Sequence, residues 1–415
     1  MNLIKKNHQT ISTLLAFALI PLSGFATDIY LPSFPTMAKL FGTSQADIQL
    51  SLVVFVTSSG IGQLFVGILV DSFGRYRLTL ASLFVFATSS FIIAFSHSLA
   101  ILLAMRVVQG FTVALIVVSK RAFFMDMYSG EKLKNYTSLF SIIWATAPIA
   151  APFIGGFLHE YFGWESNFYF LGIVTLMLLA LELIYSGETI KQYQAFQFKS
   201  LVNAYAGKLA TADFVISIII LGLAFSMVMM YSMASPFIIE QLFHGSAVTT
   251  GNCALLSGLA LMTGGLLSKS TLRKPIEKKI TMAASAFFVL PIMLLASMLY
   301  LPSIYAMMAI VVPLHVAGGF TYNTFFSYAL SRFTTHAGIV SGLTGAGTYI
   351  VTSVFTFTMA SVLNVKDPVT LGIGYLIVTY SLIVTFILFV IAKRNRVSSQ
   401  LAVPKAASVV AVVTE

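Results

Sequence analysis

The stretch Gly67-Ile-Leu69-Val-Asp71-Ser-Phe-Gly74-Arg75-Tyr-Arg77 sets charges and a glycine between two apolar runs, Ile48 to Val70 and Leu78 to Ser96. A helix needs roughly 20 apolar residues to cross the hydrocarbon core of a bilayer, and both runs approach or exceed that length. Gly74 permits a tight turn between them. Asp71 is placed to cap a neighbouring helix N-terminus, and Arg75 to pair with a carboxylate at the end of a later run, Asp126. The stretch reads as the turn of a hairpin of two membrane-spanning helices.

Working outward, the same count gives ten more runs: Ile11 to Pro32, Leu99 to Met125, Thr137 to Leu158, Asn167 to Tyr185, Phe214 to Ile239, Val248 to Leu267, Ile280 to Tyr300, Ile304 to Ala329, Gly338 to Leu363 and Leu371 to Ala392, twelve in all. The first follows Lys5 and Lys6 as a signal peptide would, but its length, the runs behind it and its aspartate make it a mature span. Composition agrees. Of 415 residues 58% are hydrophobic and 9% charged, with mean hydropathy +0.92, against about 25% charged in soluble proteins. The net charge of +10 does not cluster on one polar face, which excludes nucleic acid as a partner. A single cysteine, Cys253, excludes a disulfide framework and a cysteine metal site. His8, His97, His159, His244, His315 and His336 share no ligand spacing, so neither a metal nor a cofactor is expected. No G-x-x-x-x-G-K-[ST] stretch is present for nucleotide phosphates.

Lysine and arginine set the orientation. With the N-terminus in the cytoplasm nineteen fall on the inner side, two (Lys39 and Lys366) outside, and three (Arg106, Lys120 and Arg121) within the fourth run. The expectation is a multi-pass protein of the bacterial cytoplasmic (inner) membrane with both termini cytoplasmic. The polar stretch Gly187 to Asp213 divides the chain into a first six-helix bundle, 1–186; a cytoplasmic linker, 187–213; a second bundle, 214–395; and a small-residue cytoplasmic tail, 396–415, expected to be disordered. Gly265-Leu-Leu267-Ser-Lys269 is a degenerate copy of the opening stretch, as duplication of a six-span unit would leave it.

The opening stretch resembles the signature of the major facilitator superfamily, G-x-L-x-D-[R]-x-G-R-[RK], departing at Ser72. Arg106-Val-Val-Gln109-Gly110 is similar to the superfamily's R-x-x-Q-G. Ala147-Pro148-Ile-Ala-Ala151-Pro152-Phe-Ile-Gly155-Gly156 is similar to the G-P-x-x-G-G of its antiporters, with alanine at two positions where glycine is usual. Thr27-Asp28-Ile-Tyr30-Leu-Pro32-Ser-Phe34-Pro35 resembles the bicyclomycin-resistance (Bcr/CflA) group of drug:proton antiporters, and Arg121 to Tyr128, Ser235-Pro236-Phe237 and Gly338 to Gly345 agree. The resemblance covers nearly the whole chain. It implies an all-α integral membrane fold of twelve transmembrane helices in two pseudosymmetric six-helix bundles. It implies a transporter rather than an enzyme: proton-coupled export of a small organic molecule (drug, metabolite or siderophore) by alternating access. The partners would be the small-molecule substrate, protons and membrane lipid, with the monomer as the working unit. An importer of a siderophore or nutrient would share the fold. Asp28 is implied as the proton site with Arg106 as its partner, and Asp71, Gly74, Arg75 and Asp126 as a latch that stabilises the outward-open state.

The residues themselves leave alternatives. Asp28 and Arg106 sit about 8 Å and about 10 Å below the outer ends of their runs at 1.5 Å per residue, where a lone charge costs several kcal/mol. They form either a structural ion pair or a proton and substrate site. Lys120 and Arg121 reach for headgroups unless Lys120, where relatives carry a small residue, turns toward the cavity; Glu182 is expected at the interface. His315, after Pro313 and before Gly318, either donates to a carbonyl freed by the proline or serves in the cavity. Met227, Met229, Met230 and Met233 are either packing or a deformable cavity wall. The cavity candidates are Tyr30, Phe34, Gln109, Trp144, Met229, Tyr231, Met233 and His315. The stripe Ala147, Ala151 and Gly155 is expected against a helix of the other half, with kinks at Pro148 and Pro152. With Arg106, Lys120 and Arg121 near the cavity, neutral or carboxylate-bearing cargo is expected over quaternary ammonium compounds.

Overall fold

A computed structural model describes residues 8–402 except 191, 192, 194–197, 334–336, 364 and 366. The first run is a broken helix: α1 (Gln9–Leu19), α2 (Leu22–Asp28) and α3 (Phe34–Leu40), with a 3-10 turn at Leu31–Ser33 before α3. Prolines place the breaks. Pro21 stands at the cap of α2, while Pro32 and Pro35 sit in the first turns of the next two pieces, where a missing N–H costs nothing. Runs two to six follow as α4 (Gln45–Phe73), α5 (Arg75–Phe95), α6 (Leu99–Met127), α7 (Gly130–Phe162) and α8 (Glu165–Tyr185). A further helix, α9 (Phe198–Leu209), lies inside the expected linker. The remaining runs are α10 (Ala212–Phe237), α11 (Ala247–Ser270), α12 (Ile276–Tyr300), α13 (Ile304–Ser331), α14 (Ala337–Val362) and α15 (Pro368–Ala402).

Among the described residues eleven helices are long and apolar enough to cross a membrane, one fewer than the twelve runs. The remaining run forms α7, 33 residues long, several of whose side chains lie outside the described residues. Its place is set by packing, against α2 and α8 on one side and α11 on the other. The tail expected to be disordered begins as helix, since α15 continues past Arg396 to Ala402. No glycine or proline stands between Arg396 and Pro404; residues 403–415 lie outside the described part.

Two bundles result. In the first, α4 packs on α6, α6 on α5, and α5 on α8; in the second, α10 contacts α13, α14 and α15, while α12 contacts α13 and α15. Each has its own apolar core, with rings such as Phe86 and Phe168 in the first and Phe287 and Phe386 in the second. The bundles meet along two helix pairs, α4 with α14 and α7 with α11. The α7–α11 pair depends on glycine. A Cβ on Gly251 would stand 2.7 Å from the Pro152 carbonyl oxygen, and one on Gly156 would collide with the carbonyl of Ala247. The stripe Ala147, Ala151 and Gly155 does not face the other half as expected. A Cβ on Gly155 would collide with the Ile29 carbonyl, and Ala147 abuts Gly24, both within the first bundle. One residue is about 100° of helix, so Pro148, Pro152 and Gly156 point away from that stripe and toward α11.

At the end read as extracytoplasmic the bundles are joined. Gln45 Nε2 donates to the Val365 carbonyl at 2.7 Å and Gln49 Nε2 to the Met233 carbonyl at 2.9 Å. Within the first bundle, Thr36 Oγ1 and His159 Nε2, 3.1 Å apart, tie α3 to α7. Behind these bonds Tyr30, Phe34, Phe168 and Phe237 stack edge to face or tilted, with centroids 5.1 to 6.4 Å apart and no more than 1% exposed.

Forcing side-chain volume into a close-packed contact typically costs 1–3 kcal/mol. Gly251→Leu is therefore expected to lower the melting temperature of the detergent-solubilised protein by several degrees. Gly67→Leu, at a glycine with nothing within 4 Å, is the control that leaves it unchanged. Equal melting temperatures for the two variants would mean that α7 and α11 do not touch.

Candidate transport site

Between the bundles lies a cavity of about 30 Å³, room for one or two waters. Asp28, at the last position of α2 and 4% exposed, faces it. The α-helix ends at Asp28 and gives way to a turn and a 3-10 segment, and the Asp28 carboxylate has no hydrogen-bond partner among the described residues. Around it stand Ser23 and Thr27 of α2, Phe55 and Ser59 of α4, Pro148 and Pro152 of α7, Met229 and Ser232 of α10, Ser257 of α11 and Tyr349 of α14. Asp28 is the one charged side chain among the described residues of this lining.

Arg106 lies beside the cavity and not in it. It is fully buried, with its guanidinium carbon 4.5 Å from the Tyr30 ring centroid and 4.1 Å from that of Phe55. Nη1 donates to Gln109 Oε1 at 2.8 Å, and Gln109 Nε2 donates to Ser90 Oγ at 2.9 Å. Nε and Nη2 have no hydrogen-bond partner of good geometry among the described residues. Asp28 is the carboxylate within electrostatic reach, yet no ion pair joins the two among the described residues. A cation between two aromatic faces is held by their quadrupoles and retains two unused donors.

Of the expected cavity residues, Met229 faces the same cavity as Asp28, and Met229 and Met233 line a smaller gap between α4, α10 and α14. Tyr30 and Phe34 belong to the aromatic seal, with the Tyr30 hydroxyl 2.9 Å from Ser51 Oγ. Gln109 is engaged by Arg106, and the Tyr231 hydroxyl donates to Met308 Sδ at 3.1 Å inside the second bundle. The side chain of Trp144 lies outside the described residues. His315 bonds neither a carbonyl nor the cavity: Nδ1 is 2.6 Å from Ser257 Oγ and Nε2 is 2.6 Å from the Tyr375 hydroxyl.

Lys120 and Glu182, expected at the headgroups or the cavity and at the interface, instead pair with each other. Lys120 Nζ and Glu182 Oε2 are 2.7 Å apart, with side chains 5% and 0% exposed, joining α6 to α8. An unpaired charge at either position would be strongly unfavourable. Arg121 instead lies within electrostatic reach of Tyr322 and Tyr349 in the other bundle.

The turn at Gly74 is a compact charge cluster. Arg75 donates to Asp71 Oδ1 at 3.2 Å and to the Ala122 carbonyl at 2.9 Å, and it pairs with Asp126. Asp71 caps no helix. That task belongs to Glu188, just after α8, whose carboxylate accepts from the backbone N–H groups of Arg75, Tyr76, Thr189 and Ile190 at 3.0 to 3.2 Å. A carboxylate on the first N–H groups of α5 also complements the helix dipole. Thr189 Oγ1 donates to Asp126 at 2.9 Å. Gly74 has φ +96°, and a Cβ there would stand 2.6 Å from Glu188 Oε2, so glycine is required twice over. In the second bundle Asp213, 2% exposed, accepts from Tyr328 at 2.6 Å, Arg332 at 2.9 Å and Arg396 at 2.7 Å, tying α10 to α13 and α15.

Known proteins resemble this chain. The chain is 31% identical over 244 residues to an MFS-type transporter of Bacillus subtilis, covering 58% of this chain and 61% of the relative. It is 34% identical over 192 residues to a bicyclomycin resistance protein homolog of Haemophilus influenzae, covering 46% and 48%. Its match thus spans about half to three fifths of those two relatives. A multidrug resistance protein of Shewanella is 24% identical across 88% of this chain and 93% of its own length. Among solved structures, a D-xylose-proton symporter superposes with TM-score 0.67 at 14% identity, over 89% of this chain and 96% of that one. That likeness is one of fold. Residues 16–356 match the Major Facilitator Superfamily. That match takes in most of the chain, and the chain belongs to the Major Facilitator Superfamily.

Proposed function

We propose that this protein is a proton-coupled exporter of small organic molecules in a bacterial inner membrane, working as a monomer by alternating access, with both termini cytoplasmic. The observation that carries the reading is Asp28, the one charged group of the cavity wall, beside an arginine that keeps two donors unused. Names of relatives support it: bicyclomycin, multidrug and chloramphenicol resistance proteins are among them. Asp28 takes up a proton when the site is empty and releases it when cargo binds, and Arg106 is the nearby cation that favours the ionised form. The bundles 1–186 and 214–395 rock about the α4–α14 and α7–α11 pairs, with 187–213 as linker.

The preference expected for neutral or carboxylate-bearing cargo loses its cationic basis, because Arg106, Lys120, Arg121 and His315 are all absent from the described cavity lining. An acidic wall instead favours cargo with a cationic or hydrogen-bond-donating group. The turn cluster draws all its members from the first bundle and the chain just after it. It forms while the opposite end is joined, so it serves as a brace for that bundle in this state as well.

In proteoliposomes with an imposed proton gradient, wild-type protein is expected to move ethidium or chloramphenicol against its concentration, and Asp28→Asn to abolish that movement while still binding the probe. Gradient-driven accumulation by Asp28→Asn at the wild-type rate would refute the proton role.

Hydrogen bonds to a charged group contribute about 1.5–3 kcal/mol each. Glu188→Gln is expected to lower the melting temperature by a few degrees and leave probe affinity unchanged. A fall in affinity at unchanged stability would instead place Glu188 on the cargo path.

A further inference from the structure

The second bundle carries a line of three polar side chains that ends at the cavity. The Tyr375 hydroxyl is completely buried, and its one partner among the described residues is His315 Nε2, 2.6 Å away. A buried O–H donates to whatever acceptor is offered, and here that is Nε2. No carboxylate bonds the imidazole to support a positive charge in this apolar setting, so the ring is neutral. A neutral ring that accepts at Nε2 carries its proton on Nδ1. Nδ1–H then donates to Ser257 Oγ, 2.6 Å away. The Tyr231 ring stands edge-on to His315, with centroids 5.3 Å apart at 84°, and keeps the imidazole from turning over.

The direction of these bonds has a consequence at Ser257. Helical serines and threonines commonly donate to a carbonyl three or four residues back, as Ser226 does to Gly222 at 2.7 Å and Thr263 to Leu259 at 2.8 Å. Ser257 has no such bond, its oxygen receives the imidazole proton, and it lines the cavity shared with Asp28. Its hydroxyl proton is left to point into that space. Across the cavity Thr27 Oγ1 donates to the Ser23 carbonyl at 2.7 Å, so its proton is already engaged.

We propose that Ser257 is a hydrogen-bond donor to cargo from the second bundle, with His315 and Tyr375 as positioning residues that fix its polarity. The cargo class follows: a molecule with a donor or cationic group for Asp28 at one pole and an acceptor, such as an amide or ketone carbonyl, at the other. This deepens the export reading and rests on it for the identity of the cargo. The two poles belong to different bundles, so a bound molecule bridges them.

Two measurements test this. Nitrogen NMR of histidine-labelled protein, with the His315→Gln spectrum assigning the signal, is expected to show the Nδ1–H tautomer in the wild type. Tyr375→Phe is expected to shift it toward Nε2–H. An Nε2–H tautomer in the wild type overturns the relay. Binding to purified protein without any gradient is the second arm. Ser257→Ala is expected to weaken chloramphenicol, which carries an amide carbonyl, by roughly tenfold, and tetraphenylphosphonium, which has no acceptor, by less than about twofold. Ser257→Thr, which keeps the hydroxyl, is expected to restore chloramphenicol binding. Equal weakening of both probes, or of neither, overturns the assignment of Ser257. Wild-type protein that binds neither probe overturns the cargo class. Because no gradient is used, failure of proton coupling leaves both arms readable.

Discussion

A charge carried into the hydrocarbon layer has to find its counterpart inside the protein, because water is not there to receive it. This constraint sorts the ionisable residues of the interior. Lys120 and Glu182 answer it directly, by a buried pair between α6 and α8. Asp213 answers it with two arginines and a tyrosine. Arg106 answers it only in part, with two aromatic faces and one amide, and Asp28 with a small cavity. The first two arrangements are closed, with little reason to change during a transport cycle. The last two are open and adjacent, and that incompleteness marks the functional centre.

The helices were legible because span length is a property of consecutive residues. The glycine and charges of the turn at Asp71 and Arg75 were legible for the same reason, as was Asp126 as the partner of Arg75. What escaped depended on distance through space. Lys120 and Glu182 are 62 residues apart, and neither run shows which of its faces turns inward. Glu188 sits in a polar stretch with no periodicity to announce it, although an acid just after a span and next to a threonine is a signal worth weighing. His315 was conspicuous, but its two hydroxyl partners lie 58 and 60 residues away, on different helices. The stripe on α7 was read correctly as close packing and assigned to the wrong neighbour, because the small residues continue around the helix and serve two contacts.

Breaks in the first span organise the site more than any single side chain does. Three prolines divide Gln9–Leu40 into short pieces, and the pieces deliver different residues to different tasks. α2 ends at Asp28 in the cavity, the following turn sends Tyr30 toward Arg106, and α3 reaches across to α7 through Thr36. A continuous helix would space these residues along one spiral. The broken one lets neighbours in sequence face the cavity, the buried arginine and the joined end of the bundles together.

The aromatic seal has an electrical meaning. Protons move through proteins along chains of water and hydroxyl groups, and a plug of rings from Tyr30, Phe34, Phe168 and Phe237, all but unexposed, holds no such chain. A buried carboxylate lies one turn of helix away. Were the plug porous, that carboxylate would be a stepping stone for current across the membrane whenever the protein stood idle. Under the proton role proposed for Asp28, the rings insulate the resting molecule, and the ion gradient is spent only when the bundles move.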